Sequence, residues 1–293
     1  LRPLREGAGG GRRDAMTPGL LALVLLAAFL HAAWNAVVKV GASKIGAMLV
    51  VSLAEVAIGV AVVLLRPPVA PEAWPWVVAA SCTHLAYKSF LTFAYERGDL
   101  SRVYPIARGT APMMVALVGA FTLPDAVAAQ EYAGIVVLGA GILLMARGVF
   151  TAAEDRRLLP FALLSAVATA TYTLIDGLGA RASGEAVGYV GWIFVGGGLL
   201  YSAVFLLWKG TAPLPRRRRD WALGSLGALA SYGAYGVSIW AMTLAPIAVV
   251  AALRETSILF AVLIGWLVFG ERMDGPKWAA AGLIVAGVVL TRL

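Results

Sequence analysis

At 293 residues, 60% hydrophobic and only 14% charged, with a mean hydropathy of +0.84, the chain lies outside the range of soluble globular domains and reads as a polytopic membrane protein. The formal charge of +8 does not point to nucleic acid, because most of the excess sits in short stretches between apolar runs, where Lys and Arg set membrane orientation. A single cysteine, Cys82, excludes an internal disulfide framework, two histidines 53 residues apart give no metal-ligand spacing, and no GxxxxGK[ST] stretch offers the phosphate loop of an ATP-driven pump.

Residues 1–16 are Gly- and Arg-rich without apolar periodicity and read as a disordered tail. From Thr17 the chain alternates apolar runs of about 20 residues, the length a helix needs to cross the hydrocarbon layer, with short polar connections. Ten such runs are predicted: 17–39, 46–65, 74–95, 100–122, 129–147, 158–180, 187–208, 221–244, 247–269 and 275–291. Pro67-Pro68 with Pro71, Pro124-Asp125, Pro213 with Pro215, and Asp274-Gly-Pro276 punctuate them. The expected fold is therefore all-α, with ten transmembrane helices.

The charged stretch from Thr151 to Arg157 divides the runs into two sets of five, residues 17–150 and 158–293. Moving forward 146 residues from Arg108, Thr110, Gly119, Gly141 and Leu144 lands on Arg254, Thr256, Gly265, Gly287 and Leu290, the same residue type each time. Five is odd, so a second copy enters the membrane with opposite orientation, and the expectation is a pair of inverted repeats with substrate sites at mid-depth between them. Connections 1/2, 3/4, 5/6, 7/8 and 9/10 hold fourteen Lys and Arg residues against seven in the tails and other connections, which favours both termini outside.

Polar residues inside the runs are the candidates for function. An arginine at bilayer depth costs about 3 kcal/mol on insertion scales, so Arg108, in the stretch Tyr104-Pro-Ile-Ala-Arg108 of the fourth run, and Arg254 need a polar interior, a partner or a water-filled path. His84, Tyr87 and Lys88 share one face of the third run at i, i+3 and i+4, and Tyr104 and Arg108 share one face of the fourth. His31, Trp34 and Asn35 in the first run match Thr169, Tyr172 and Thr173 in the sixth at a spacing of 138. The eighth run carries Ser231, Tyr232, Tyr235 and Trp240. Trp34, Tyr87, Tyr104, Tyr172 and Trp240 are expected to line one cavity, while Trp74, Trp76, Trp221 and Trp278 begin runs and read as interfacial anchors. Glu255 directly follows Arg254, so it either neutralises a buried arginine or meets the substrate.

Several stretches together resemble the drug/metabolite transporter superfamily, and within it the ten-span EamA-domain branch: His31-Ala-Ala-Trp-Asn-Ala-Val-Val-Lys39, Gly98-Asp-Leu-Ser101 leading into Tyr104-Pro-Ile-Ala-Arg108, and Leu253-Arg-Glu-Thr-Ser257 followed by Phe269-Gly-Glu-Arg272. The sequence departs at Glu255, which is followed by Thr256, so the ninth run lacks the family's usual proline break. The family also keeps both termini in the cytoplasm, against the loop charges. The resemblance implies a multi-pass protein of a bacterial inner membrane that exports amino acids or similar small zwitterionic metabolites by alternating access. It is then not an enzyme, needs no cofactor or metal, and has a small molecule and the lipid bilayer as partners. The substrate carboxylate is expected at Lys88, Arg108 or Arg254, and its ammonium at aromatic faces, Asn35 or Glu255. A proton-coupled cation or multidrug exporter is the alternative, favoured by an uncompensated Glu55 or Glu255; an intramembrane enzyme on lipid substrates is more remote.

Overall fold

The computed structural model describes residues 17–39, 43–96, 110–145, 158–269 and 273–291. The tail, the stretch dividing the two sets of runs, Tyr104 and Arg108 lie outside the described residues, as does the side chain of Asn35. Among the described residues the regular elements are α-helices: α1 Pro18–Lys39, α2 Lys44–Leu65, α3 Trp74–Tyr95, α4 Ala111–Thr122, α5 Ala129–Met145, α6 Leu158–Ser183, α7 Ala186–Lys209, α8 Arg218–Leu244, α9 Ile247–Arg254, α10 Ser257–Phe269 and α11 Gly275–Leu290, with a 3₁₀ turn at Pro71–Ala73.

The helices begin where the chain supplies acceptors for their first amides. Ser43 caps α2 by accepting from the Gly46 N–H at 3.1 Å, Asp274 caps α11 through the Lys277 N–H at 3.0 Å, and the Glu185 carboxylate accepts from the Gly188 N–H at the start of α7. Lys44–Leu65, 159–183, Ala186–Lys209 and 247–264 are long and apolar enough to cross a membrane. Their surfaces are inverted relative to a soluble protein: Leu65 is 83% exposed and Phe121 84%, while Glu55, Lys88, Asp176, Arg254 and Glu255 are buried. Apolar rings and leucines facing outward and charges facing inward are what a lipid solvent selects. Trp74, Trp221 and Trp278 are exposed near helix starts, whereas Trp76 packs against the core.

The two sets of helices interleave. α1 packs on α8, α2 on α7, α3 on α6 and α5 on α11, so each of these pairs joins a helix before residue 146 to one after 157. Two crossings bring backbones together. A Cβ on Gly59 of α2 would stand 2.6 Å from the Gly191 carbonyl oxygen, and one on Gly134 of α5 would stand 2.8 Å from that of Gly287 on α11. Only glycine allows helices to approach so closely, which recovers dispersion contacts that lipid cannot supply.

The ninth run departs from the expectation of an unbroken span. α9 stops at Arg254 and α10 starts at Ser257, with Glu255 and Thr256 in a turn between them. The Thr256 hydroxyl donates to the Leu253 carbonyl at 2.7 Å, and the Thr256 N–H donates to the same carbonyl at 3.1 Å, tightening the turn. A hydroxyl that competes for a backbone acceptor here opens the helix without proline. The position 146 residues earlier is Thr110, and α4 begins at the next residue, Ala111.

Candidate functional site

The charged side chains of the core come from four helices and the α9/α10 break, and among the described residues they form three units. In the first, Lys88 of α3 donates to the Glu55 carboxylate of α2 and, at 3.2 Å, to the Ser52 hydroxyl. In the second, His84 Nε2 lies 2.9 Å from Asp176 Oδ2 of α6 and 3.2 Å from the Tyr235 hydroxyl of α8, which itself donates to the same carboxylate oxygen. In the third, Arg254 Nε lies 3.5 Å from Glu255 Oε1, and the guanidinium donates to the Thr173 hydroxyl at 3.2 Å. Each carboxylate thus faces a basic group, which an interior of low dielectric demands.

Aromatic rings join these units. The His84 ring lies 4.4 Å from Tyr172 and 5.4 Å from Tyr235, and Tyr87 meets Tyr172 edge-on at 5.3 Å. The Arg254 guanidinium stands 5.8 Å from the Tyr172 ring and 5.9 Å from the Tyr235 ring, within cation–π range. On α1, the Trp34 indole N–H donates to His31 Nδ1 at 3.3 Å. His31, Trp34, Glu55, His84, Tyr87, Lys88, Tyr172 and Tyr235 line one cavity of about 40 Å³. At about 10–15 Å³ per water it holds a few solvent molecules and no metabolite.

A second recess, of about 480 Å³, opens at the end of the bundle where α6 and α8 finish and α7 begins, and is lined by Arg66, Arg181, Glu185, Trp240 and Thr243. Arg181 is held there by four hydrogen bonds. The guanidinium binds Asp125 through two bonds, 2.7 and 3.0 Å, and donates to the carbonyls of Met242 at 2.8 Å and Ala245 at 3.1 Å. Asp125 Oδ2 also accepts from the Ile247 N–H at 2.9 Å, so one carboxylate ties the α4/α5 connection to α6 and to the start of α9. At the rim Arg66 pairs with Glu185 at 2.6 Å, and the hydrogen bond and charge of that carboxylate raise the guanidinium above its ordinary pKa.

The structure therefore gathers His31, Trp34, His84, Tyr87, Lys88 and Tyr172 around one cavity, with Arg254 and Glu255 behind the rings. Trp240 lies elsewhere, 38% exposed at the second recess. Five residues separate it from Tyr235, or about 140° around a helix, so the two rings of α8 point away from each other. Sequence reasoning missed Asp176, whose signal was an acid in mid-run one turn after Tyr172, and it treated Asp125 as turn punctuation and Arg181 as a connection charge.

Residues 157–293 match the EamA-like transporter family. The EamA-like region holds Asp176, Tyr235, Arg254 and Glu255 but neither His84 nor Lys88, which come from the half of the chain before it. A solved structure, described only as the crystal structure of a protein, is similar over 93% of this chain and 96% of its own, with a TM-score of 0.71 and 19% identity, a likeness of fold alone. No curated protein matches the chain.

Proposed function

We propose that the chain is a ten-span secondary transporter of the drug/metabolite superfamily that exports amino acids or similar small zwitterionic metabolites across a bacterial inner membrane by alternating access. The observation that carries this reading is the central cluster itself. Side chains of both signs, Lys88 with Glu55 and Arg254 with Glu255, flank the aromatic box of Tyr87, Tyr172 and Tyr235, so a substrate bearing both an ammonium and a carboxylate meets complementary groups. The EamA-like match over residues 157–293 supports the class.

The repeats are inverted, and the helix crossings support this. Adding 146 takes Gly134 to Ala280 and Gly141 to Gly287. Gly134 abuts Gly287 while Gly141 abuts Ala280, so each position touches the counterpart of the other. That reciprocity is the mark of a two-fold axis. Because early residues of α5 meet late residues of α11, the helices run antiparallel and the axis is perpendicular to them, in the membrane plane. The α2/α7 crossing is antiparallel as well, with Gly59 against Gly191 and Ser52 against Gly198.

In this reading the Asp125–Arg181 clasp closes one end of the pathway in the state described, and the α9/α10 break lets the second half flex. The cation-exporter alternative required an uncompensated Glu55 or Glu255, and both face basic side chains. The test is uptake of a panel of labelled amino acids by purified protein in proteoliposomes, with and without a pH gradient. Accumulation of at least one above protein-free vesicles supports the proposal; uptake of organic cations alone overturns it.

A further inference from the structure

The recess at the end of the bundle is built of polar groups that the central cluster does not use. Its walls are fixed: Tyr232 of α8 donates to the Val187 carbonyl in the first turn of α7 at 3.0 Å, and Arg181 ties the end of α6 to the carbonyls of Met242 and Ala245 at the end of α8. Its volume of about 480 Å³ lies within the range of about 300–1,000 Å³ typical of small-molecule sites. At the rim Arg66 donates through Nε, at 3.2 Å, and Nη2, at 2.6 Å, to one oxygen of Glu185, so three of its five N–H groups are without a partner among the described residues. Glu185 Oε2 accepts the Gly188 N–H and keeps a second lone pair. Arg66 is matched by Glu185 and Arg181 by Asp125, so among the described residues the recess offers both signs in balance.

The recess also stands at the margin of the lipid-facing surface. Leu64 and Leu65, just before Arg66, and Leu244, just after Thr243, are exposed, so α2 and α8 pass from leucines that suit hydrocarbon to charge at its edge. Trp240, in its lining, is an amphipathic ring of the kind that collects at headgroup depth. From Trp240 back along α8, Gly236, Gly233 and Leu229 follow on one face. A Cβ at Gly236 or Gly233 would meet nothing closer than 3.8 Å, and Leu229 is exposed, so a shallow trough runs from the recess along the outside of α8. We propose that recess and trough together seat a phospholipid with a primary-ammonium headgroup, of the phosphatidylethanolamine class. Its phosphate accepts from the remaining N–H groups of Arg66, its ammonium donates to Glu185 Oε2 beside the Trp240 ring, and one acyl chain lies over Gly236 and Gly233. A headgroup of net negative charge meets no surplus of cations in the recess, and a quaternary ammonium has no N–H for Glu185. Bridging α2, α7 and α8, the lipid holds together the end of the bundle that Asp125 and Arg181 clasp, and its binding raises thermal stability.

The test is native mass spectrometry of the full chain in detergent, titrated separately with phosphatidylethanolamine, phosphatidylcholine and phosphatidylglycerol of identical acyl chains. The proposal expects phosphatidylethanolamine to bind about tenfold more tightly than either other lipid and Arg66→Gln to remove that preference, tenfold being about the worth of one charge-assisted hydrogen bond. Gly236→Phe, which fills the trough and leaves Arg66 and Glu185 in place, should weaken binding as well, whereas Arg219→Gln, in the first turn of α8 at the far end of that helix, should not. Thermal unfolding without lipid that matches the parent shows each variant folded, and if Arg66→Gln does not fold, Gly236→Phe carries the test. Glycerophosphoethanolamine, the same headgroup without acyl chains, should compete only weakly. Competition at equal concentration would assign the recess to a free zwitterion and overturn the lipid assignment. Equal binding of the three lipids, a preference unchanged in folded Arg66→Gln, or binding unchanged in Gly236→Phe overturns it too.

Discussion

Asp125 and Arg181 form a two-pronged ion pair, 2.7 and 3.0 Å, that joins the two halves of the chain at one end of the bundle. The aspartate is 2% exposed at its side chain and the arginine 14%, so water screens the pair little. Removing the carboxylate leaves the guanidinium with two carbonyls as its remaining hydrogen-bond partners among the described residues. Asp125→Ala is expected to cost about 3 kcal/mol, read as thermal unfolding in detergent. It should also speed hydrogen exchange at the Ile247 amide, which loses its acceptor. Unchanged exchange at Ile247 would show that the clasp does not hold α9. Arg181→Lys should recover only part of the loss, because an ammonium cannot make the paired geometry.

The glycine crossings give a second expectation. A Cβ at Gly287 meets the Leu138 amide nitrogen at 2.6 Å and the Gly134 oxygen at 2.8 Å, both backbone atoms that cannot move aside, whereas nothing stands within 4 Å at Gly19. Gly287→Ala should destabilise by about 1–3 kcal/mol. Gly19→Ala should be neutral or slightly stabilising, since alanine is the better helix former. Equal effects in a detergent melt would mean that α5 and α11 do not touch as described.

The Glu55–Lys88 pair predicts strong coupling. Glu55→Gln alone strands a buried ammonium and should cost about 3–5 kcal/mol, while Glu55→Gln with Lys88→Gln should cost markedly less than the sum of the single changes. Additive single and double variants in unfolding measurements would separate the two residues.

Much of the fold was legible because a bilayer imposes its own length: nine of the ten predicted runs coincide with helices in whole or large part, and the fourth is described from Thr110 onward. Periodicity was weaker as a guide to direction. In a soluble helix polar residues mark the solvent face, but in lipid an aromatic ring suits both the cavity and the membrane, so Trp240 and Tyr235 looked alike in sequence. Pairing was illegible for a different reason. His84 and Asp176 are 92 residues apart, and Asp125 and Arg181 are 56 apart, so only the packing of α3 on α6 and the return of the chain past the α4/α5 connection bring them together. The break in the ninth run was missed because proline was taken as its cause, whereas a threonine hydroxyl suffices.

The aromatic box gives the most direct test of the central claim. Purified protein in proteoliposomes preloaded with unlabelled amino acids should draw in at least one labelled counterpart by counterflow, a readout that needs no imposed gradient. Tyr172→Leu, inserted and folded to the same level, should reduce that counterflow by about tenfold or more, because Tyr172 touches His84, Tyr87 and Tyr235 and lies under Arg254. Counterflow of every amino acid at the level of protein-free vesicles, or full counterflow in Tyr172→Leu, would contradict the assignment of this cluster as the transport site.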